Sequence, residues 1–449
     1  MKPEKCYELN PSQEVVILQL KFCLHKRIVN IISSITSDKE IDFNIMQEAF
    51  NKVVERNDCL RLRFFKKKGK LMQYFINQDH FNNIPQLKFN TQAEQDAFIK
   101  KLRKSPIKYL KGKVIEPYFI NTYDGKDMIL LKVCHLILDI YGINMIFKDL
   151  FDVYDALINN KPLPQQLNSF EEIIKKDLSK KNNSELTTKN KEFFTKYLQE
   201  REQPWYAGIH GSNSKIWQKQ LKRKRQSMPM FLINSDTEGY IHKLDETTCK
   251  NMLKYCKDNH FSVANFMFYT MSICASKTNN NVKNMLPLEL CNCRSNAFEK
   301  NCAGTKVQSI ACYTTLDENK NFKQNLEAFS LGQMRLYRYM GFSDSAFQML
   351  LHKTYNSSLL ETYYSIAFSF IPYKMPDHLH FQLYSNGKCA LPAYIALLYN
   401  TDKEDIRIAY DCQTKIITEK EVEIFHKNYT NIINQIISSP DIEFNEIVL

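Results

Sequence analysis

Hydrophobic positions along this chain switch repeatedly between the two spacings that separate strands from helices. Arg27 to Thr36, RIVNIISSIT, is rich in β-branched residues and predicts a strand. Phe43, Met46, Phe50, Val53 and Val54 then fall on one helical stripe, with Asp42 placed to cap it. CLRLRFF, Cys59 to Phe65, alternates apolar and basic residues as a half-buried strand does. Further on, DGKDMILLKVCHL reads as a turn at Asp124-Gly125 leading into a buried strand. Ile143, Ile146, Leu150, Tyr154 and Leu157 recur after it at steps of three or four, so a second helix starts just past Asp139.

The proline-marked stretch NNKPLPQQLN, followed by a polar and charged pair of helices, is the best connection between two halves. The boundary is predicted near Asn168, giving an N-terminal lobe of residues 1–168 and a C-terminal lobe of residues 169–449. In the second half EGYIHKL reads as a strand, and two helices follow it. YYSIAFSFIPY, HLHFQLYS and DIRIAYDC read as strands, and TEKEVEIFHKNYTNIINQII as a closing amphipathic helix. Both halves are therefore predicted to be α/β.

Composition narrows the classes of protein this can be. With 449 residues, 44% of them hydrophobic, the chain can bury a large core, and its 11 glycines offer few flexible joints. No apolar run approaches the roughly 18 residues that span a bilayer, so a cytoplasmic protein without a membrane segment is predicted. The 13 cysteines are scattered through apolar surroundings, which suits reduced core thiols. Cys291 and Cys293 lack a second cysteine pair, so no structural zinc is predicted. The formal charge of +12 is concentrated in RFFKKKGK (63–70) and QKQLKRKRQ (218–226). Such runs attract acidic partners, but without interleaved aromatics or a DNA-binding frame they read as solvated basic faces rather than a nucleic-acid site.

His135 stands where the buried strand ends and Asp139 where the next helix begins. An imidazole there can take a proton from an amine or alcohol and return it later, but a lone histidine in apolar sequence is also a common core residue. Asp139 follows Leu136, Ile137 and Leu138, too apolar a neighbourhood for an unpaired carboxylate. It is expected either to cap the helix or to pair with an arginine, for which Arg61 on the neighbouring strand is the candidate. Cys134 adjoins His135, yet adjacent strand residues face opposite ways and do not form a nucleophile and base pair. No G-x-S-x-G elbow, phosphate loop, dinucleotide turn or H-E-x-x-H helix is present.

These residues resemble the condensation domains of nonribosomal peptide synthetases, within the wider superfamily of chloramphenicol-acetyltransferase-like acyltransferases. The family's HHxxxDG signature falls on Cys134, His135, Leu136 to Leu138, Asp139 and Ile140. VVERNDCLRLRF is similar to the family's RHxxLRTxF segment, with Arg56, Leu60, Arg61 and Phe64 in register. LELCNCRSN matches a stretch that usually ends Asn-x-Arg, here Asn292 and Arg294, and IRIAYDCQTKIITEKEVEIF looks like the family's closing strand and helix.

The resemblance implies two acyltransferase-like lobes in a V with a tunnel between them, His135 as the catalytic residue, and Asp139 paired with an arginine to shape the site. Tyr141, Gly142, Asn292 and Arg294 become candidates for lining the tunnel. It further implies acyl or peptidyl carrier proteins as partners, a phosphopantetheine-tethered thioester as donor, an amine acceptor and an amide product, with no metal or tightly bound cofactor. A monomer acting in trans as a stand-alone enzyme is expected. The departures are Cys134 for the first histidine, Ile140 for the signature glycine, and NCAGTKVQSIACYTTL without the Phe-Val-Asn-Thr core. A β-branched residue is poor at positive φ, so Ile140 either reshapes or disables the site. Two other readings stay open: an acyltransferase using free acyl-CoA with an amine or alcohol acceptor, and an inactive carrier-binding module.

Overall fold

The β-branched run at Asn30–Ser37 forms the second strand of a five-stranded sheet whose order is Leu379–Tyr384, Asn30–Ser37, Asp127–Cys134, Ile115–Asn121, Gln86–Lys88. Neighbours are antiparallel except the last pair, and Asn30 lies opposite Cys134 while Ser37 lies opposite Asp127. Alternation decides the two faces. Ile32, Met128, Leu130 and Ile120 pack with Ile99 and Leu102 of the helix Gln92–Lys104. On the opposite face Phe119 stacks on Phe43 at 5.1 Å. That face carries the helix Phe43–Arg56, which packs on the helix Ile140–Ile158. Asp42 caps the first of these, accepting from the backbone N–H groups of Asn44 and Ile45, as its position predicted.

In this computed structural model, which describes residues 5–23, 25–212, 214–223, 225–230 and 235–449, the chain divides into two units. The first comprises residues 1–183, 292–307 and 373–387, and the second residues 184–291, 308–372 and 388–449. The expected boundary near Asn168 and the uninterrupted second lobe are thus corrected. Asp58 supplies the reason: its carboxylate accepts from the Ser169 hydroxyl and from the Phe170 and Glu171 N–H groups. These contacts hold the helix Phe170–Lys181 in the first unit.

A second correction concerns Arg61. The helix Phe43–Arg56 ends at Asn57, and a single 3₁₀ turn, Asp58–Arg61, intervenes before the strand Leu62–Lys67 begins. Arg61 therefore lies outside the alternating register and turns back onto the carbonyls of Val54, Glu55 and Ile76. It satisfies the helix's last acceptors instead of reaching Asp139.

The second unit is built on a six-stranded sheet ordered Val307–Ala311, Leu288–Asn292, Ile366–Tyr373, Ala393–Asn400, Asp405–Gln413, Thr237–Lys243. The helices Glu246–Asp258 and Val263–Thr278 pack on the closing helix Glu419–Ser438, which a Thr418–Glu421 capping box starts. Val263–Thr278 is buried almost all round, which accounts for its apolar sequence. None of the 13 cysteines is joined in a disulfide. No helix among the described residues is long and apolar enough to cross a membrane. Of the two basic runs, 63–70 forms a hairpin turning at Lys68 and Gly69, whereas Lys224 in the second lies outside the described residues.

Candidate active site

The strand Asp127–Cys134 ends one residue before His135, whose backbone N–H still pairs with the Val29 carbonyl at 2.7 Å. Residues 135–137 then turn, and Asp139 caps the helix Ile140–Ile158. The half-buried His135 ring is thus fixed between a sheet and a helix start. Its Nδ1 lies 3.1 Å from the Leu138 carbonyl oxygen. A carbonyl can only accept, so Nδ1 carries a proton and the neutral ring keeps its lone pair on Nε2. Burial lowers the ring's pKa below the ordinary histidine value, against the opposing pull of Asp139. The His135 imidazole is therefore neutral at pH 7.

Asp139 does both things the sequence allowed. Its Oδ1 accepts from the Gly142 N–H at 2.7 Å, the helix cap. The same carboxylate holds Arg294 by two parallel bonds, Nη2 to Oδ1 at 3.1 Å and Nη1 to Oδ2 at 2.9 Å. The Lys306 N–H adds a fourth donor to Oδ2 at 2.8 Å. Asp139 is 4% exposed and Arg294 5%, and a buried pair is tolerable only when its lone pairs and N–H groups are filled in this way.

Arg294 was a candidate for touching substrate, and the geometry corrects that. Nε donates to the Cys302 carbonyl, Nη1 to Asp139 and the Asn292 side chain, and Nη2 to Asp139 and the Gly304 carbonyl. All five N–H groups are engaged, leaving none for a ligand. Asn292, exposed itself, braces this arginine, and the Tyr141 ring stacks against the guanidinium at 4.6 Å with its hydroxyl donating to the Lys300 carbonyl. Gly142 is a packing glycine: a Cβ there would lie 1.7 Å from the Ala303 carbonyl oxygen.

Neither departure from the signature disturbs this frame. Ile140 is the first residue of the helix, and it is not among the residues with positive φ, so no glycine is needed there. Cys134 is fully buried, and burial pushes its thiol up to about 12, which excludes a thiolate nucleophile at neutral pH.

Gln13, Thr305 and Lys306 are neighbours of this turn that sequence reasoning missed. Gln13 Nε2 donates to the Leu136 carbonyl at 2.8 Å, and Thr305 Oγ1 donates to the His135 carbonyl at 2.7 Å. Lys306 Nζ pairs with both oxygens of Asp177 at 2.9 and 3.1 Å. Beside them Gly304 is packed so closely that a Cβ there would lie 1.9 Å from the Phe170 ring. A glycine that tightly packed marks a backbone pressed onto something else. The first unit also has a polar cleft of about 540 Å³ lined by Asp38, Lys39, Lys126 and Asp127. It sits at the opposite end of the Asp127–Cys134 strand, roughly 26 Å from His135 by strand rise.

Comparison with known proteins agrees with this frame. The profile of the family described as the Condensation domain matches residues 3–449. A plipastatin synthase of Bacillus subtilis (strain 168) is 18% identical over 97% of this chain, and bacitracin synthase 1 of Bacillus licheniformis 28% identical over 35%. The chain spans 16% and 3% of those two proteins' lengths. Among solved structures, the starter condensation domain of rhizomide synthetase in complex with C8-CoA matches with a TM-score of 0.82 at 15% identity, covering 99% of this chain and 98% of that one. The first condensation domain of the calcium-dependent antibiotic synthetase, in complex with a substrate analogue, matches with a TM-score of 0.80 at 12% identity, covering 99% of each chain. With its fold matched end to end and its family profile spanning residues 3–449, this chain belongs to the condensation domain family.

Proposed function

We propose that this chain forms amide bonds, transferring an acyl or aminoacyl group from a phosphopantetheine thioester on a carrier protein to an amine. The observation that carries the reading is the neutral His135, with Nδ1 committed to the Leu138 carbonyl and Nε2 left basic. The amine nitrogen attacks the thioester carbonyl carbon, and a new C–N bond forms as Nε2 takes the amine proton. The tetrahedral oxyanion collapses, the C–S bond breaks, and the proton on Nε2 passes to the departing pantetheine sulfur. Asp139 and Arg294 take no proton in this scheme; they hold the turn that carries the base.

A second reading, with free acyl-CoA as donor, is favoured by the rhizomide synthetase starter domain, which was solved with C8-CoA. Both donors bear phosphates or sit on acidic carriers. The exposed lysines 66, 67, 68 and 70 of the basic hairpin suit either, and turnover is expected to weaken as salt rises.

The test is a mass-spectrometric product screen of the protein and its His135→Ala variant, with acyl-carrier, acyl-pantetheine and acyl-CoA donors against amine and alcohol acceptors. Amide formed by the native chain alone supports the proposal. Ester products would replace the amine with an alcohol, and no product with any pair would overturn the catalytic reading.

A further inference from the structure

Four consecutive carbonyls, those of His135, Leu136, Ile137 and Leu138, connect the sheet to the Asp139 cap, and each has a donor. Leu138 receives His135 Nδ1, Leu136 receives Gln13 Nε2, and the other two are taken by one residue. Thr305 donates its backbone N–H to the Ile137 carbonyl at 3.2 Å and its hydroxyl to the His135 carbonyl at 2.7 Å. Thr305 is fully buried. Its neighbours are anchored independently: Gly304 forms a β-bridge with Leu138 and gives its carbonyl to Arg294, and Lys306 binds Asp139 and Asp177.

We infer that Thr305 is a positioning residue for His135, its hydroxyl fixing the histidine backbone so that the ring presents Nε2 rather than Nδ1 as its basic nitrogen. The inference rests on the proposed role of His135 as base. The Nδ1 bond spans only from residue 135 to residue 138, so the tautomer depends on the relative placement of two carbonyls in one short turn. The Ile137 and Leu138 end is held through the backbone by Thr305 and Gly304. At the His135 carbonyl the bond comes from a side chain, and removing the Thr305 hydroxyl releases that carbonyl while the His135 N–H stays on Val29 and the Ile137 and Leu138 bonds stay in place. Displacement of a reacting group by about 1 Å is enough to cost on the order of 10²-fold in rate.

Thr305→Val keeps the shape and removes the donor, whereas Thr305→Ser keeps the donor and removes a buried methyl. Turnover with the donor and acceptor found in the product screen is to be measured beside thermal stability, and imidazole ¹⁵N shifts of His135 are to be recorded in all three proteins. The expected result is kcat lowered on the order of 10²-fold in Thr305→Val with KM little changed. Thr305→Ser should retain near-native kcat despite a lower Tm. The Nδ1–H tautomer should dominate in the native chain and in Thr305→Ser, and be lost or mixed in Thr305→Val. Native kcat and tautomer in Thr305→Val, or losses that follow Tm in both variants, would overturn the inference. If the native chain makes no product, the proposed function fails, and the ¹⁵N shifts alone still decide whether Thr305 sets the tautomer.

Discussion

Arg294 grips Asp139 through both carboxylate oxygens across 155 residues of sequence, and with the Thr305, Gly304 and Lys306 contacts it holds the segment 292–307 on the turn that carries His135. Arg61, the nearer candidate in sequence, is spent on the end of the helix Phe43–Arg56. The two arginines thus separate a scaffold for the site from a cap for a helix.

Replacing Arg294 by Met leaves Asp139 charged and buried, which typically costs about 3 to 5 kcal/mol. Lys is not expected to rescue it, because one ammonium cannot supply the fork that meets both oxygens and three further acceptors. Arg61→Met should cost only about 1 kcal/mol, the worth of ordinary hydrogen bonds to partly exposed carbonyls. Urea unfolding of the three variants checks the ranking, and an Arg61 variant as damaging as Arg294→Met would contradict it.

Because burial lowers the His135 pKa, the rate is expected to reach its plateau at neutral pH and fall only as the ring protonates. The apparent pKa should lie below the ordinary histidine value of about 6.5. A pH–rate profile on kcat/KM reads it directly, and a midpoint above that value would mean that a charged partner outweighs burial.

Asp344 offers a pH test of stability in the second unit. Burial raises its carboxyl to about 6, against the hydrogen bond from Ser309 that favours ionisation. The folded state therefore holds this proton more tightly than the unfolded chain does. The resulting stabilisation is fully present below about pH 4 and is lost as pH rises to about 6, amounting to at most about 3 kcal/mol. Asp344→Asn should flatten that part of the stability curve; an unchanged slope would show that Asp344 does not titrate in this window.

The two signature departures should prove structurally quiet, and the reverse substitutions disruptive. Ile140→Gly removes a side chain from the first helical position and is expected to cost about 0.5 to 1 kcal/mol without raising activity. Cys134→His forces a ring into a fully buried site and should cost about 1 to 3 kcal/mol. Gly142→Ala drives a methyl into the Ala303 carbonyl and should be the most damaging of the three. Thermal melts rank them.

The local parts of this architecture were legible in the sequence because they rest on local spacing. The stripe from Phe43 to Val54, the Asp42 cap, the turn at Asp124-Gly125 and the helix after Asp139 all appear where periodicity put them. The Arg61 error came from reading alternation through Cys59 and Leu60, which lie in a 3₁₀ turn that shares the same apolar and basic pattern. The misplaced boundary has a different cause: residues 292–307 and 373–387 belong to the first unit through pairings more than a hundred residues away in sequence, and periodicity carries no information about them. Thr305 and Gln13 were invisible for the same reason, since a buried hydroxyl or amide reveals its acceptor only once the chain is folded.

The most direct test of the account is a single-turnover measurement of acyl transfer to an amine by the native chain, His135→Ala and Asp139→Asn, each first shown to be folded by circular dichroism. His135→Ala should lose about 10²- to 10⁴-fold in the chemical step at unchanged stability, the span typical of a lost general base. Asp139→Asn should lose stability and rate together. Acyl transfer that is undiminished in folded His135→Ala would contradict the assignment of His135 as the base.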